Sequence, residues 1–294
     1  MAAFFADVSP QMLLGQIFLG LINGSFYALM SLGLAIIFGM LHVVNFAHGA
    51  FYMLGAYCAW ALLEYLGVNY WAALIIAPVV VAALGIALEK LMLRRLYRVD
   101  YLYALLMTFG LALVIEGLFR IQFGTSGNAY ANPLPGGMRL GIVFLPYYRL
   151  WVIAASIIVC LATWFVIERT RLGAYLRAAN ENPDLVRAFG LNVPRMMMLT
   201  YGLGVGLAGF AGVMAAPVYQ VSPLMGSSLV IVVFAVVVIG GMGSILGAIV
   251  TGFGLGVVEA VSNVFYPEGA GIVVFLIMIL TLAVRPNGLF GKAR

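Results

Sequence analysis

The feature that most constrains this chain is its division into apolar runs of about 20 residues. That is the length an α-helix needs to cross ~30 Å of hydrocarbon at about 1.5 Å per residue. Such runs cover 11–38, 49–66, 70–93, 103–123, 147–168, 196–219, 226–240, 245–264 and 270–284. A soluble protein with buried helices would show runs of roughly 10 to 14 residues between charged stretches. It would also need a polar shell. Here 9% of residues are charged and 65% hydrophobic, whereas soluble domains are about 25% charged, so the material for a shell is missing. The expected fold class is all-α, a polytopic integral membrane helical bundle with about eight or nine transmembrane spans. It forms a single transmembrane domain over 1–294, because no polar segment is long enough for a second. The first run is too long for one simple span and contains Gly20, Asn23, Gly24 and Ser25, where a kink or break is expected. Another break is expected at Gly240-Gly241-Met242-Gly243-Ser244.

The few charges are sorted by position. The net charge of +5 would suit nucleic acid if it formed one stripe. Instead the basic residues sit in three short clusters between apolar runs: Lys90, Arg94, Arg95 and Arg98; Arg169, Arg171, Arg177, Arg187 and Arg195; Arg285, Lys292 and Arg294. An even number of spans can separate the clusters, so the positive-inside rule puts all three, and the C-terminus, on the cytoplasmic side. Residues 124–146, rich in Gly, Pro and Asn, then face outward. Nucleic-acid binding is not expected, and the lipid bilayer is the surrounding medium. Cys58 and Cys160 lie inside apolar runs without metal or redox spacing and read as small buried hydrophobes.

The segment 169–195 contains a helix start and stop. Asn182 suits an N-cap, Pro183 the first helical turn, and Asp184 complements the dipole. Gly190 is placed to end the helix in a left-handed conformation. Leu185, Val186 and Phe189 are expected on one side of the resulting two-turn element, which is too short to be stable unsupported. It either lies against its own bundle or docks into a groove on a cytoplasmic partner. The chain's two lysines, Lys90 and Lys292, do not fit GxxxxGK[ST]. If transport is driven by ATP, the ATPase is another polypeptide.

Charge within a bilayer costs at least about 2.5–3.5 kcal/mol near mid-depth, so each polar residue in a span needs an account. Glu116 and Arg120 are four apart and can pair, as a structural pair or at the outer mouth of a path. Glu259, isolated in a glycine-rich helix, is either a pathway residue or a hydrogen-bond partner between helices. Asn45-Phe46-Ala47-His48-Gly49, with His42 before it, interrupts two apolar runs and reads as irregular backbone lining a cavity. Asn45 and His48 would satisfy backbone groups there or touch solute, and Asn23 sits at the interruption of the first run. The histidines share no helical face and have no acidic or cysteine companion, so no metal site is expected. Gly202, Gly204, Gly206, Gly209 and Gly212, then Gly252, Gly254 and Gly256, offer small-residue faces for close helix approach. No nucleophile or redox constellation marks an enzyme. The residues alone leave two transport classes open: an importer driven by separate ATPases, or a stand-alone secondary transporter or channel for a small polar solute.

Seven motifs in order resemble one family. They are Gly24-Ser-Phe-Tyr-Ala-Leu, Asn45-Phe-Ala-His-Gly-Ala-Phe-Tyr-Met-Leu-Gly-Ala-Tyr57, Leu88-Glu-Lys-Leu with Leu-Tyr-Arg98, and Arg177-Ala-Ala-Asn-Glu-Asn-Pro183 through Gly190. Ser222-Pro223-Leu-Met-Gly226, Gly240-Gly-Met-Gly-Ser-Ile-Leu-Gly247 and Arg285-Pro-Asn-Gly-Leu-Phe-Gly291 complete the set. Together they resemble the LivH-type permeases, membrane subunits of ABC importers for branched-chain amino acids. Val99 stands where that family has a proline after the arginine. The resemblance implies a bacterial inner-membrane protein, a second related permease, two P-loop ATPase subunits that bind ATP and Mg, and a periplasmic solute-binding protein. It implies no cofactor in this chain. It also implies coupling to the ATPase through 169–195, with Arg177, Pro183, Asp184, Leu185, Val186, Arg187, Phe189 and Gly190 as the contact candidates. Asn23, Asn45, His48, Glu116 and Glu259 are the candidates for the translocation path. Relatives carrying urea, amides or aromatic acids keep the substrate open.

Overall fold

The computed structural model describes residues 10–41, 43–96, 100–140 and 143–291; His42, Arg98, Val99, Lys292 and Arg294 lie outside them. The chain is mostly helical. Helix α1 spans Pro10–Leu41, α2 His48–Leu66, and α3 Tyr70–Leu88, running on through a π-helical turn Glu89–Leu93 to Arg94–Leu96. Helix α4 spans Tyr101–Phe123, and a short antiparallel hairpin pairs β1 Gly137–Leu140 with β2 Val143–Pro146. Then follow α5 Tyr147–Arg169, α6 Arg171–Glu181, α7 Pro183–Ala188, α8 Val193–Ala215, α9 Met225–Gly240, α10 Ile245–Phe265 and α11 Ala270–Val284. Helix starts follow local chemistry. The side chains of Asn69, Asp100, Asn182, Asn192 and Ser244 each accept a hydrogen bond from a backbone N–H in the first turn, replacing a partner the helix cannot supply.

Among the described residues, seven helices are long and apolar enough to cross a membrane. The expectation of eight or nine is not confirmed: α11 counts among the seven together with the 3-10 turn Pro267–Gly269 before it, whereas α9 has 16 residues, about 24 Å at ~1.5 Å per residue and short of the ~30 Å core. Helix α2 is 19 residues long but is not among the seven. The expected break in the first run is absent, and α1 is continuous for 32 residues. Its small residues serve packing instead. A Cβ added at Gly20 or Gly24 would lie 2.6 or 2.9 Å from the Cα of Val257 or Phe253 on α10. Backbones this close gain dispersion contact that larger side chains would prevent. The glycine face of α8 packs the same way, with Gly204 against Gly33 of α1 and Gly212 against the Tyr52 carbonyl of α2.

The expected break at 240–244 is present. Gly241 and Gly243 have φ of +101° and +84°, a region open to glycine but strained for other residues. The motif at 285–291 folds back onto this turn. Leu289 and Phe290 donate backbone N–H groups to the carbonyls of Ile239 and Gly240 at 2.8 and 3.1 Å, so two motifs far apart in the chain form one corner.

The chain folds back on itself at the interruption before α2. α1 ends at Leu41, yet His48 Nε2 meets the carbonyl of Met30 at 2.9 Å, back in the middle of α1. That carbonyl can only accept, so Nε2 carries the proton. Asn45 Oδ1 accepts from the Ala47 N–H at 3.1 Å and Asn45 Nδ2 donates to the Tyr201 hydroxyl at 3.1 Å. Asn45 is fully buried, so Asn45→Ala leaves two polar groups unpaired, at about 1–3 kcal/mol each. A thermal-unfolding scan of the solubilised protein is expected to show a midpoint lowered by several degrees. An unchanged midpoint would mean the amide is not holding this turn.

Candidate functional site

The bundle has two chemically distinct ends. At one, the end of α1, the π-turn of α3 and the α6–α8 segment converge, and a cavity of about 730 Å³ is lined by Met40, Glu89, Arg94, Arg95, Asn180 and Arg187 among others. Lys90, Arg94 and Arg95 of the first basic cluster and Arg187 and Arg195 of the second therefore share this end. Helix α6, inside the segment 169–195 where only the following two-turn helix is expected, is amphipathic with Gly173, Leu176 and Ala179 buried. The apolar spacing of Leu172, Tyr175, Leu176 and Ala179 could have revealed it. Asn180 Nδ2 donates to the Gly39 carbonyl at 3.0 Å and ties α6 to α1. Arg177 is anchored by the Ile167 carbonyl at 3.0 Å and pairs with Glu168 at 3.5 Å.

Helix α7 has Asn182 as its cap and Pro183 in its first turn, and Gly190 after it has φ +80°. Its three apolar residues do not share one side. Val186 is 6% exposed and packs with Ala179 and Val193, while Leu185 and Phe189 are 55% and 77% exposed. Residues 185 and 189 are four apart and form one stripe, whereas 186 is about 100° further round the helix. Asp184 and Arg187 make an exposed pair at 3.2 Å. One face of α7 is thus held by its own bundle and the other is free.

At the opposite, hairpin end, α1, α5, α10, the start of α11 and the segment after α8 enclose a cavity of about 330 Å³. Its polar lining is Gln16, Asn23, Arg149, Tyr219, Glu259 and Asn263. The Tyr27 hydroxyl donates to Glu259 Oε2 at 2.8 Å, and the Tyr219 hydroxyl donates to Asn23 Oδ1 at 2.6 Å. A second cavity of about 310 Å³ shares Asn23 and Tyr219 and is walled by Phe26, Tyr27, Tyr52, Met225 and Leu229, with Ser222 and Ser228.

Of the path candidates, Asn23 and Glu259 come together here. Asn45 and His48 are buried elsewhere and bond backbone and a tyrosine. Glu116 pairs with Arg120 at 2.9 Å and lines a separate cavity of about 70 Å³ beside Phe46 and Pro223. Sequence reading missed Arg149, Tyr27 and Tyr219. The signal for Arg149 was available, since an arginine at the outer start of an apolar run departs from the positive-inside pattern. Among the described residues no group of histidine, cysteine or acidic side chains could hold a metal.

Membrane-length helices, a polar cavity at one end and a part-free short helix among arginines at the other are the architecture of a multi-pass membrane protein. Residues 16–282 match the family described as branched-chain amino acid transport system / permease component, and the chain belongs to that family. It is 31% identical to the high-affinity branched-chain amino acid transport system permease protein BraD of Pseudomonas aeruginosa, over 95% of this chain and 96% of that one. It is 30% identical to the corresponding LivH of Salmonella typhimurium, with the same shares covered. It also resembles LivM of Escherichia coli K12, a permease protein of the same kind of system, at 28% identity over 91% of this chain and 68% of that one.

Proposed function

We propose that this chain is a permease subunit of an ATP-driven importer for branched-chain or related amino acids, with solute delivered by a periplasmic binding protein. The observation that carries this reading is α7, anchored through Val186 while Leu185 and Phe189 face outward. An apolar stripe on a short polar helix suits insertion into a groove of a soluble partner, and the chain lacks a nucleotide-binding motif of its own. Two P-loop ATPases would bind ATP and Mg and grip α7 and the arginines around it. The positive-inside rule supports placing this basic end, and the C-terminus, in the cytoplasm. The hairpin end then receives solute. Likeness to both LivH and LivM supports pairing with a second, related permease.

The test is reconstitution with the partner subunits in liposomes. Uptake of L-leucine is expected only with ATP on the side of the basic end and the binding protein on the other. Uptake by this chain alone, driven by an ion gradient, would replace the importer with a secondary transporter.

A further inference from the structure

We propose that the two cavities at the hairpin end form one bipartite site for a neutral aliphatic α-amino acid, with Arg149 and Glu259 holding the head group. This rests on the importer reading and adds to it a binding site in the permease itself. The larger cavity brings one cation and one carboxylate to the same 330 Å³ space. Among the described residues Arg149 makes no ion pair. Its planar fork matches a carboxylate with two parallel N–H···O bonds. Glu259 accepts one hydrogen bond, from Tyr27, and a carboxylate has room for further donors, such as those of an ammonium. An uncharged solute such as urea would leave both charges unbalanced in a half-buried space, which is costly. A zwitterion answers both.

The adjoining cavity supplies what the rest of an aliphatic amino acid requires. Phe26, Tyr52, Met225 and Leu229 give it an apolar wall, and each buried CH₂ is worth about 0.8 kcal/mol. The two spaces meet at the Tyr219–Asn23 hydrogen bond, because both residues line both. The head group therefore sits on the Arg149–Glu259 side and the side chain crosses past Asn23.

The test uses the assembled transporter in nanodiscs without the binding protein, and equilibrium binding of three probes. These are L-leucine, isopentylamine (no carboxylate) and 4-methylpentanoate (no ammonium). The unaltered protein is expected to bind leucine at least about tenfold tighter than either fragment, a factor worth about 1.4 kcal/mol. Arg149→Gln should erase the advantage over isopentylamine, and Glu259→Gln the advantage over 4-methylpentanoate. Arg149→Lys should restore part of the first. If a neutralised variant folds poorly, the three-probe comparison on the unaltered protein still decides. Equal binding of the three probes overturns the site, as does leucine binding within twofold of the unaltered protein in both neutralised variants. ATP-driven leucine uptake by the unaltered complex separates the two claims. If uptake persists while the binding results fail, the site falls and the importer stands; if uptake is absent, the importer reading falls.

Discussion

Replacing Phe189 with aspartate and Arg187 with glutamate is expected to cut ATP-driven uptake by about 100-fold or more while the protein still inserts and purifies as a complete chain. The reason lies in how α7 is divided. Val186 holds the helix to α6 and α8, and the substitutions leave it alone. Leu185 and Phe189 are exposed, and burying such side chains in a partner groove is worth about 1.5–3 kcal/mol each. A carboxylate at 189 removes one of those contributions and adds the cost of desolvating a charge. Together these reach roughly 3–4 kcal/mol, or a factor of several hundred in association. The Asp184–Arg187 pair lost with it is exposed and contributes no more than about 1 kcal/mol. Uptake and ATP hydrolysis measured on the same proteoliposomes would distinguish uncoupling from misfolding. Uncoupled protein hydrolyses ATP without accumulating leucine. Normal accumulation would remove α7 from the coupling path.

What could be read from the sequence was what local chemistry determines. Asn182, Pro183 and Gly190 lie within about two turns of each other, so cap, start and stop were visible in order. The spans were visible because charge is too costly in lipid to be scattered. Reading failed where one residue type serves two purposes. Gly20 and Gly24 mark a helix break as plausibly as a packing seam, and only the position of α10 tells them apart. Leu185, Val186 and Phe189 are all apolar, and which of them is covered depends on Ala179 and Val193, outside the helix. The hairpin-end cavity was the least legible feature. Tyr27 and Glu259 are 232 positions apart, and no local pattern announces such a pair. Asn23 and Glu259 stood out singly as polar residues in apolar runs, and Arg149 departed from the charge pattern, but nothing local joined the three.

Gly256→Leu and Gly254→Leu, two residues apart on one helix, are expected to behave oppositely. In α10, positions 252 and 256 fall on one face and 254 on another, as the helical repeat requires. A Cβ at Gly256 would stand 2.4 Å from the Gly24 nitrogen and 2.5 Å from the Gly20 carbonyl oxygen. Both obstacles are backbone, so no side chain can swing aside, and the helices must separate. Overpacking of ordinary cores costs about 1–3 kcal/mol, and here the loss extends along the whole seam, from Gly20 to Gly39 facing Gly243. A Cβ at Gly254 meets nothing within 4 Å. Size-exclusion profiles after graded heating should therefore show Gly256→Leu aggregating at temperatures where Gly254→Leu and the parent stay monodisperse. Matching profiles for the two variants would mean the seam is not this tight. The effect should reach function as well. Glu259 lies less than one turn beyond Gly256, and its 2.8 Å bond from Tyr27 exists only while the backbones touch. Any Gly256→Leu protein that survives should therefore have lost leucine uptake, because the same contact that closes the seam positions the carboxylate.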